Sequence, residues 1–221
     1  QLSAGISHEL NQPLMAVQSF AENGVAFIER GKHQRAAENL TRISDMADRM
    51  GRIIKNLRAF SKQESVQQLQ VDLGAVIASV LDMTAQRRAA SGVTLRYTPP
   101  AAALWVRGGE VRLGQVFVNL ITNAVDAMEG REARILTIGI TQGTNITVEV
   151  KDTGAGISAP DQVFDPFYST KEVGAAKGVG LGLSISYAIV QSVGGEIRAQ
   201  NTAEGACFSV TLLPMAQESA A

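Results

Sequence analysis

From Leu40 to Leu57 the apolar residues Leu40, Ile43, Ala47, Met50, Ile54 and Leu57 step alternately by three and four. That spacing lays one stripe along a helix and is the pattern of bundles and coiled coils, not of strands. Met46, Ile53 and Phe60 widen the stripe. From residue 2 onward Ile6, Leu10, Leu14, Val17, Ala21 and Ile28 step by threes and fours or their sums. Between the two runs Arg30-Gly31-Lys32-His33 breaks the period, which predicts a helical hairpin over residues 1–62. Two helices cannot shield such broad stripes from water alone. Two hairpins joined as a four-helix bundle do, so a homodimer is the expected state. Packing of the stripe on the rest of the same chain is the alternative that the pattern leaves open.

Residues 63–70 are polar and lose the period, as a linker would. From 71 to 215 the periods mix. Asp72 reads as the N-cap of a helix through about Ala90. A strand is predicted over Val93–Tyr97, a helix over Glu110–Met128, and strands over Ile135–Ile140 and Ile146–Lys151 joined by a Gly-Thr-Asn turn. A helix over Val179–Ser192 and strands over Glu196–Ala199 and Cys207–Leu213 complete the reading. Such a mixture predicts an α+β sandwich, with helices on one face of a mixed sheet. The tail 216–221 reads as disordered.

A formal net charge of -1 argues against a general nucleic-acid binder, which shows a basic excess. The single cysteine, Cys207, excludes an intrachain disulfide, and its apolar neighbours predict a core residue. No apolar stretch is long enough to cross a bilayer. The chain starts mid-pattern and without Met, so it reads as a piece of a longer protein whose sensor or membrane segment would lie upstream.

Three clusters in the second half suggest chemistry. Asn119 and Asn123 are four apart, so both amides emerge on one helical face. Amide oxygens are hard, neutral ligands suited to magnesium that also holds phosphates, although paired asparagines are more often simply solvated. Asp152-Thr153-Gly154-Ala155-Gly156-Ile157 ends a strand with a carboxylate, and its two glycines allow close backbone approach. A carboxylate there accepts a hydrogen bond from the exocyclic amine of adenine, where guanine offers a carbonyl; the plain alternative is a strand-ending turn. Gly178, Gly180 and Gly182 alternate with Val179 and Leu181 and open into a helix, whose free N–H groups bind phosphate. The long segment from Phe164 to Lys177 has the character of a lid, and Lys171 would reach a terminal phosphate from it.

The first helix holds an anomaly, Ser7-His8-Glu9-Leu10-Asn11-Gln12-Pro13-Leu14. Pro13 removes a helical hydrogen bond and frees the carbonyl of Glu9. His8 lies roughly 200° around from both Ile6 and Leu10, so it faces away from the apolar stripe.

Taken in order, SHELNQPL, NLITNAVDA, DTGAGI, FDPFYSTK and GVGLGL resemble the H box, N box, first glycine box, F box and second glycine box of two-component sensor histidine kinases. The resemblance covers nearly the whole chain. It implies a dimerisation and phosphotransfer hairpin followed by a Bergerat-type ATP-binding domain. The HELNQPL form and Asn56-Leu57-Arg58-Ala59-Phe60 are similar to the branch of C4-dicarboxylate and oxygen sensors. By position, the resemblance implies that His8 is phosphorylated and that Glu9 holds its imidazole tautomer. It implies that Asn123 binds Mg2+, that Asp152 reads adenine, and that Gly154, Gly156, Ile157, Lys171, Gly178, Val179, Gly180, Leu181 and Gly182 contact ATP. Related ATPases carry a water-activating Glu where this chain has Asn119, which favours transfer to a protein over hydrolysis. Gln12, where many members carry Thr or Asn, would orient water for phosphatase action on a response regulator. Pro13 would act as a two-state hinge between kinase and phosphatase forms. Expected partners are a second copy and a receiver domain; expected cofactors are ATP and Mg2+; the expected location is the cytoplasmic side of an inner membrane. An ATPase using ATP as a conformational clamp, and a degenerate dimeric scaffold, are the rival readings.

Overall fold

The computed structural model describes residues 2–61, 70–166, 168 and 180–215, and in the first two helices the side chains of residues 13–47 and 50–51. The chain divides into two compact units.

The first is built on α1 (Leu2–Glu29) and α2 (His33–Ser61). Gly31 turns the chain at φ +65°. Its amide donates to the Ile28 carbonyl at 2.9 Å and the Lys32 amide to that of Phe27 at 2.8 Å, the paired bonds of a Schellman stop. His33 therefore opens α2 instead of lying in the turn. α1 runs through Pro13 without a break. α1 and α2 pack closely at Gly24, where a Cβ would meet the Asn39 Cβ at 3.9 Å, an ordinary van der Waals contact. Arg35 and Arg42 of α2 cover the rings of Phe27 and Phe20 of α1, with guanidinium-to-centroid distances of 5.8 and 5.6 Å. Leu14, Val25, Ile28 and Leu40 stay more than half exposed.

The second unit runs β1 (Gln70–Asp72), α3 (Leu73–Ala90), β2 (Thr94–Tyr97), β3 (Trp105–Arg107), α4 (Glu110–Ala127), β4 (Ile135–Gln142), β5 (Ile146–Asp152), α5 (Gly182–Ser192), β6 (Glu196–Asn201) and β7 (Ala206–Leu212). Five strands form one sheet in the order β2-β4-β5-β7-β6, antiparallel except for the parallel β2–β4 pair. α3 packs on α4 and α4 on α5, and α4 also packs on β5. This is the expected helices-on-sheet architecture. The core is built from Leu113, Phe117, Leu120 and Ile121 of α4 and Leu136, Val148 and Val210 of the sheet, all buried. Cys207 is buried too, as its neighbours implied.

Three local features differ from the sequence reading. β1 and β3 pair antiparallel, Val71 opposite Val106, and neither was expected because three residues are too few to show a period. Gln70, the last residue of the expected linker, pairs with Arg107 in that ribbon. α5 starts at Gly182, not at Val179. Asp72 does cap α3: its Oδ1 accepts from Gly74 N at 3.0 Å, and also from Leu104 N at 3.1 Å, which ties the cap to the entry of β3. The predicted tail, 216–221, falls outside the described residues.

Candidate active site

Alternation along β5 decides the first site residue. Ile146, Val148 and Val150 point into the core, and the same two-residue period carries Asp152 inward at the strand end. Asp152 is 4% exposed. Its Oδ1 accepts from Gly154 N at 2.8 Å and from Ala206 N at 3.4 Å. No described residue donates to Oδ2. Burial pushes the carboxyl above the usual aspartate range, and the two amide hydrogen bonds pull partly back. A buried carboxylate with one oxygen tied down and one uncommitted is suited to accept a hydrogen bond from a ligand amine.

The loop after Asp152 is pinned from three sides. Ala155 N donates to Ala127 O, at the C-terminal end of α4, at 3.2 Å. A Cβ on Gly154 would come to 2.7 Å from that same carbonyl oxygen, so glycine is required by close approach. Gly156 has φ +76°, a left-handed conformation that favours glycine. Asn201, the last residue of β6, grips Ile157 by both backbone groups: Ile157 N donates to Oδ1 at 2.6 Å, and Nδ2 donates to Ile157 O at 2.8 Å. Thr153 accepts from Ile135 N at 3.0 Å and donates to Ala133 O at 2.7 Å, which ties the loop to β4.

Asn119, Asn123 and Ala127 follow one another at intervals of four along α4, so the asparagines share a face with the carbonyl that holds the Asp152 loop. Asn119 lies directly against Gly182, where a Cβ would collide with its Oδ1. The structure thus brings together residues 63 apart in sequence: the first asparagine and the third glycine of the alternating run. Gly180 has φ +71°, and Leu181 is buried. At the head of the expected lid, Phe164 packs 5.7 Å from the Tyr187 ring of α5 and edge-on to Phe208 of β7 at 6.3 Å. A cavity of about 330 Å³ also reaches Asp152, but it is lined by Arg96, Thr137, Lys151 and Thr202 and by neither asparagine, so it is not where the clusters converge.

Lys171, Gly178 and Val179 lie outside the described residues. His8, Glu9 and Gln12 lie in α1, and their side chains are likewise not described. Sequence reasoning missed Asn201, Thr153, Gly205 and Ser186. A Cβ on Gly205 would strike the backbone oxygen of Asp152, so it too must be glycine. Thr153 stands inside the DTGAGI stretch but its role there is not legible from the motif, and no motif flags the other three, because the partners of all four are distant in sequence.

A helical hairpin followed by this sandwich, in which Asn119 of α4 meets Gly182 of α5, is the arrangement of a histidine kinase core. Residues 1–66 match the His Kinase A (phospho-acceptor) domain, and residues 108–217 match the histidine kinase-, DNA gyrase B- and HSP90-like ATPase family. The chain belongs to the sensor histidine kinase family. It is 38% identical over 218 residues to the C4-dicarboxylate transport sensor protein DctB of Pseudomonas aeruginosa, covering 96% of this chain and 35% of the relative. The DctB of Rhizobium meliloti is 33% identical over 215 residues, covering 96% and 34%. The chain therefore spans about a third of the length of these relatives. A solved structure of histidine kinase ThkA in complex with the response regulator TrrA shares the fold, with a TM-score of 0.75 at 22% identity over 99% of this chain and 62% of that one. Among the described residues no helix is long and apolar enough to cross a membrane.

Proposed function

We propose that the chain is the catalytic core of a sensor kinase that phosphorylates His8 from ATP and passes the phosphoryl group to an aspartate of a receiver domain. The contact of Asn119 with Gly182 carries this reading, because it joins the two clusters whose chemistry suits phosphates and metal. Asp152 accepts a hydrogen bond from the adenine amine through its uncommitted oxygen. Gly178, Val179, Gly180, Leu181 and Gly182 present backbone N–H groups to the phosphates at the entry to α5. Lys171 reaches the terminal phosphate, and Gly154, Gly156 and Ile157 shape the wall beside the base. Asn123 offers an amide oxygen, a hard donor that fits Mg2+. Bound with the nucleotide, Mg2+ neutralises phosphate charge.

Neutral His8 attacks the γ-phosphorus in line. The bond from phosphorus to the β,γ-bridging oxygen breaks, and ADP departs with its electrons. Glu9 accepts a hydrogen bond from the other ring nitrogen, which holds the tautomer and raises the nucleophilicity of the attacking nitrogen. Asn119 is an amide and cannot deprotonate water, so hydrolysis is not favoured over transfer. The aspartate of the receiver then takes the phosphoryl group from His8, and Gln12 orients water for the reverse duty of dephosphorylating that partner.

The exposed Leu14, Val25, Ile28 and Leu40 support a homodimer in which two hairpins close one bundle. The core works on the cytoplasmic side, downstream of a membrane-anchored sensor. Incubation with radiolabelled Mg-ATP should give an acid-labile, alkali-stable label that vanishes in His8→Gln. Phosphate release without labelled protein would instead mark an ATPase.

A further inference from the structure

Ser186 lies one turn after Gly182 on α5 and is 1% exposed. A serine hydroxyl carries one proton. Here that proton goes to the Gly182 carbonyl at 3.0 Å. The Ser186 oxygen is then limited to accepting, and it accepts from Asn119 Nδ2 at 3.1 Å. The Asn119 amide is thereby oriented, nitrogen toward Ser186 and oxygen toward Gly182 and Asn123. Asn119 Oδ1 accepts from Asn123 Nδ2 at 3.5 Å, the loosest link of the chain. With its nitrogen turned to Asn119, Asn123 keeps its oxygen as the free end, and no described residue donates to it. Reversing Asn119 would take the Ser186 proton away from Gly182 and set two amide nitrogens face to face. Asn123 would have to reverse as well and turn an NH2 group toward the metal position.

Resting on the site reading above, we propose that Ser186 is a positioning residue that fixes, through Asn119, the amide orientation in which Asn123 presents oxygen to Mg2+. It touches neither nucleotide nor metal. Partners of metal ligands that set ligand orientation typically contribute about 10–100-fold to metal affinity. The test is a Mg2+ titration of ATP binding on the 221-residue chain, followed by calorimetry, for wild type, Asn123→Ala, Ser186→Ala and Ser186→Thr. Ser186→Ala should raise the Mg2+ concentration at half-saturation about 10-fold or more while its melting curve stays near wild type, and Ser186→Thr, which keeps the hydroxyl, should restore it. An unchanged Mg2+ midpoint in Ser186→Ala, or a loss that Thr does not restore, overturns the inference. Should Ser186→Ala not fold, Ser186→Cys carries the same test, since a thiol is a weak acceptor of similar size. If wild type shows no Mg2+ dependence, or Asn123→Ala titrates like wild type, the metal reading of the site itself fails. A Mg2+-dependent wild type with an indifferent Ser186→Ala defeats only the positioning role.

Discussion

The two units keep their apolar residues in opposite ways. In the sandwich, three helices and five strands enclose a continuous core, and residues such as Leu73, Leu113, Leu136 and Val148 are wholly buried. In the hairpin, Ala36 and Met46 are the buried apolar side chains that the described residues supply beside Pro13, while Leu40 stands 61% exposed. A helix pair has no third layer, so one side of each stripe lacks a partner within the pair. The sandwich buries its apolar residues within one chain, whereas the hairpin leaves apolar side chains such as Leu40 for the proposed second copy to cover.

The largest effect that would break this contrast is in the hairpin. Leu40→Glu enters a symmetric bundle twice, and each copy forfeits about 1.5–3 kcal/mol of apolar burial. Light scattering should show a monomer and His8 labelling should collapse, while ATP affinity stays at the wild-type value. A persistent dimer would show that the stripe is not the interface.

The next effect is confined to the sandwich. Asp152→Asn should lower ATP affinity about 10–100-fold, the worth of a hydrogen bond to a charged acceptor at about 1.5–3 kcal/mol. Because burial raises the Asp152 pKa, the folded chain holds this proton more tightly than the unfolded chain. Folding stability from this group is therefore present at low pH and declines as pH rises from the ordinary aspartate value through the raised one. At neutral pH the ionised group is a cost, so the nucleotide-free Asp152→Asn chain should melt at the same or a higher temperature. ATP affinity runs the other way, falling in wild type as acidification protonates Asp152, and staying flat in the variant. A wild-type affinity that ignores acidification would remove Asp152 from base recognition.

Smaller again, Gly154→Ala forces a methyl against the Ala127 carbonyl and should cost about 1–3 kcal/mol. Calorimetric scans should show the sandwich transition moving down and dimerisation unchanged. Movement of both would mean that the units are not independent.

Legible in the sequence alone were the elements whose period is long enough to read: the helix that carries the stripe from Leu40, the alternation of β4 and β5, and the helix carrying Asn119 and Asn123. The sequence also determined the cap at Asp72, because an N-cap is a local hydrogen bond two residues long. Side-chain chemistry and the order of the motifs made Asp152 and the glycine run legible as candidates, although a carboxylate followed by glycines also suits a plain strand-ending turn. Only the tertiary structure decided which glycines are obligatory and by what: Gly154 by a carbonyl of α4, Gly182 by an amide of the same helix. It alone found Asn201 clamping Ile157 and Ser186 orienting Asn119, whose partners lie 44 and 67 residues away. It also set the start of α5 at Gly182 and paired β1 with β3, a three-residue ribbon held by partners across the chain. The physical reason is one of range. Periodicity and capping act over a few residues and leave a trace in the order of the letters, whereas close approach and hydrogen-bond orientation depend on which distant segments the core brings into contact.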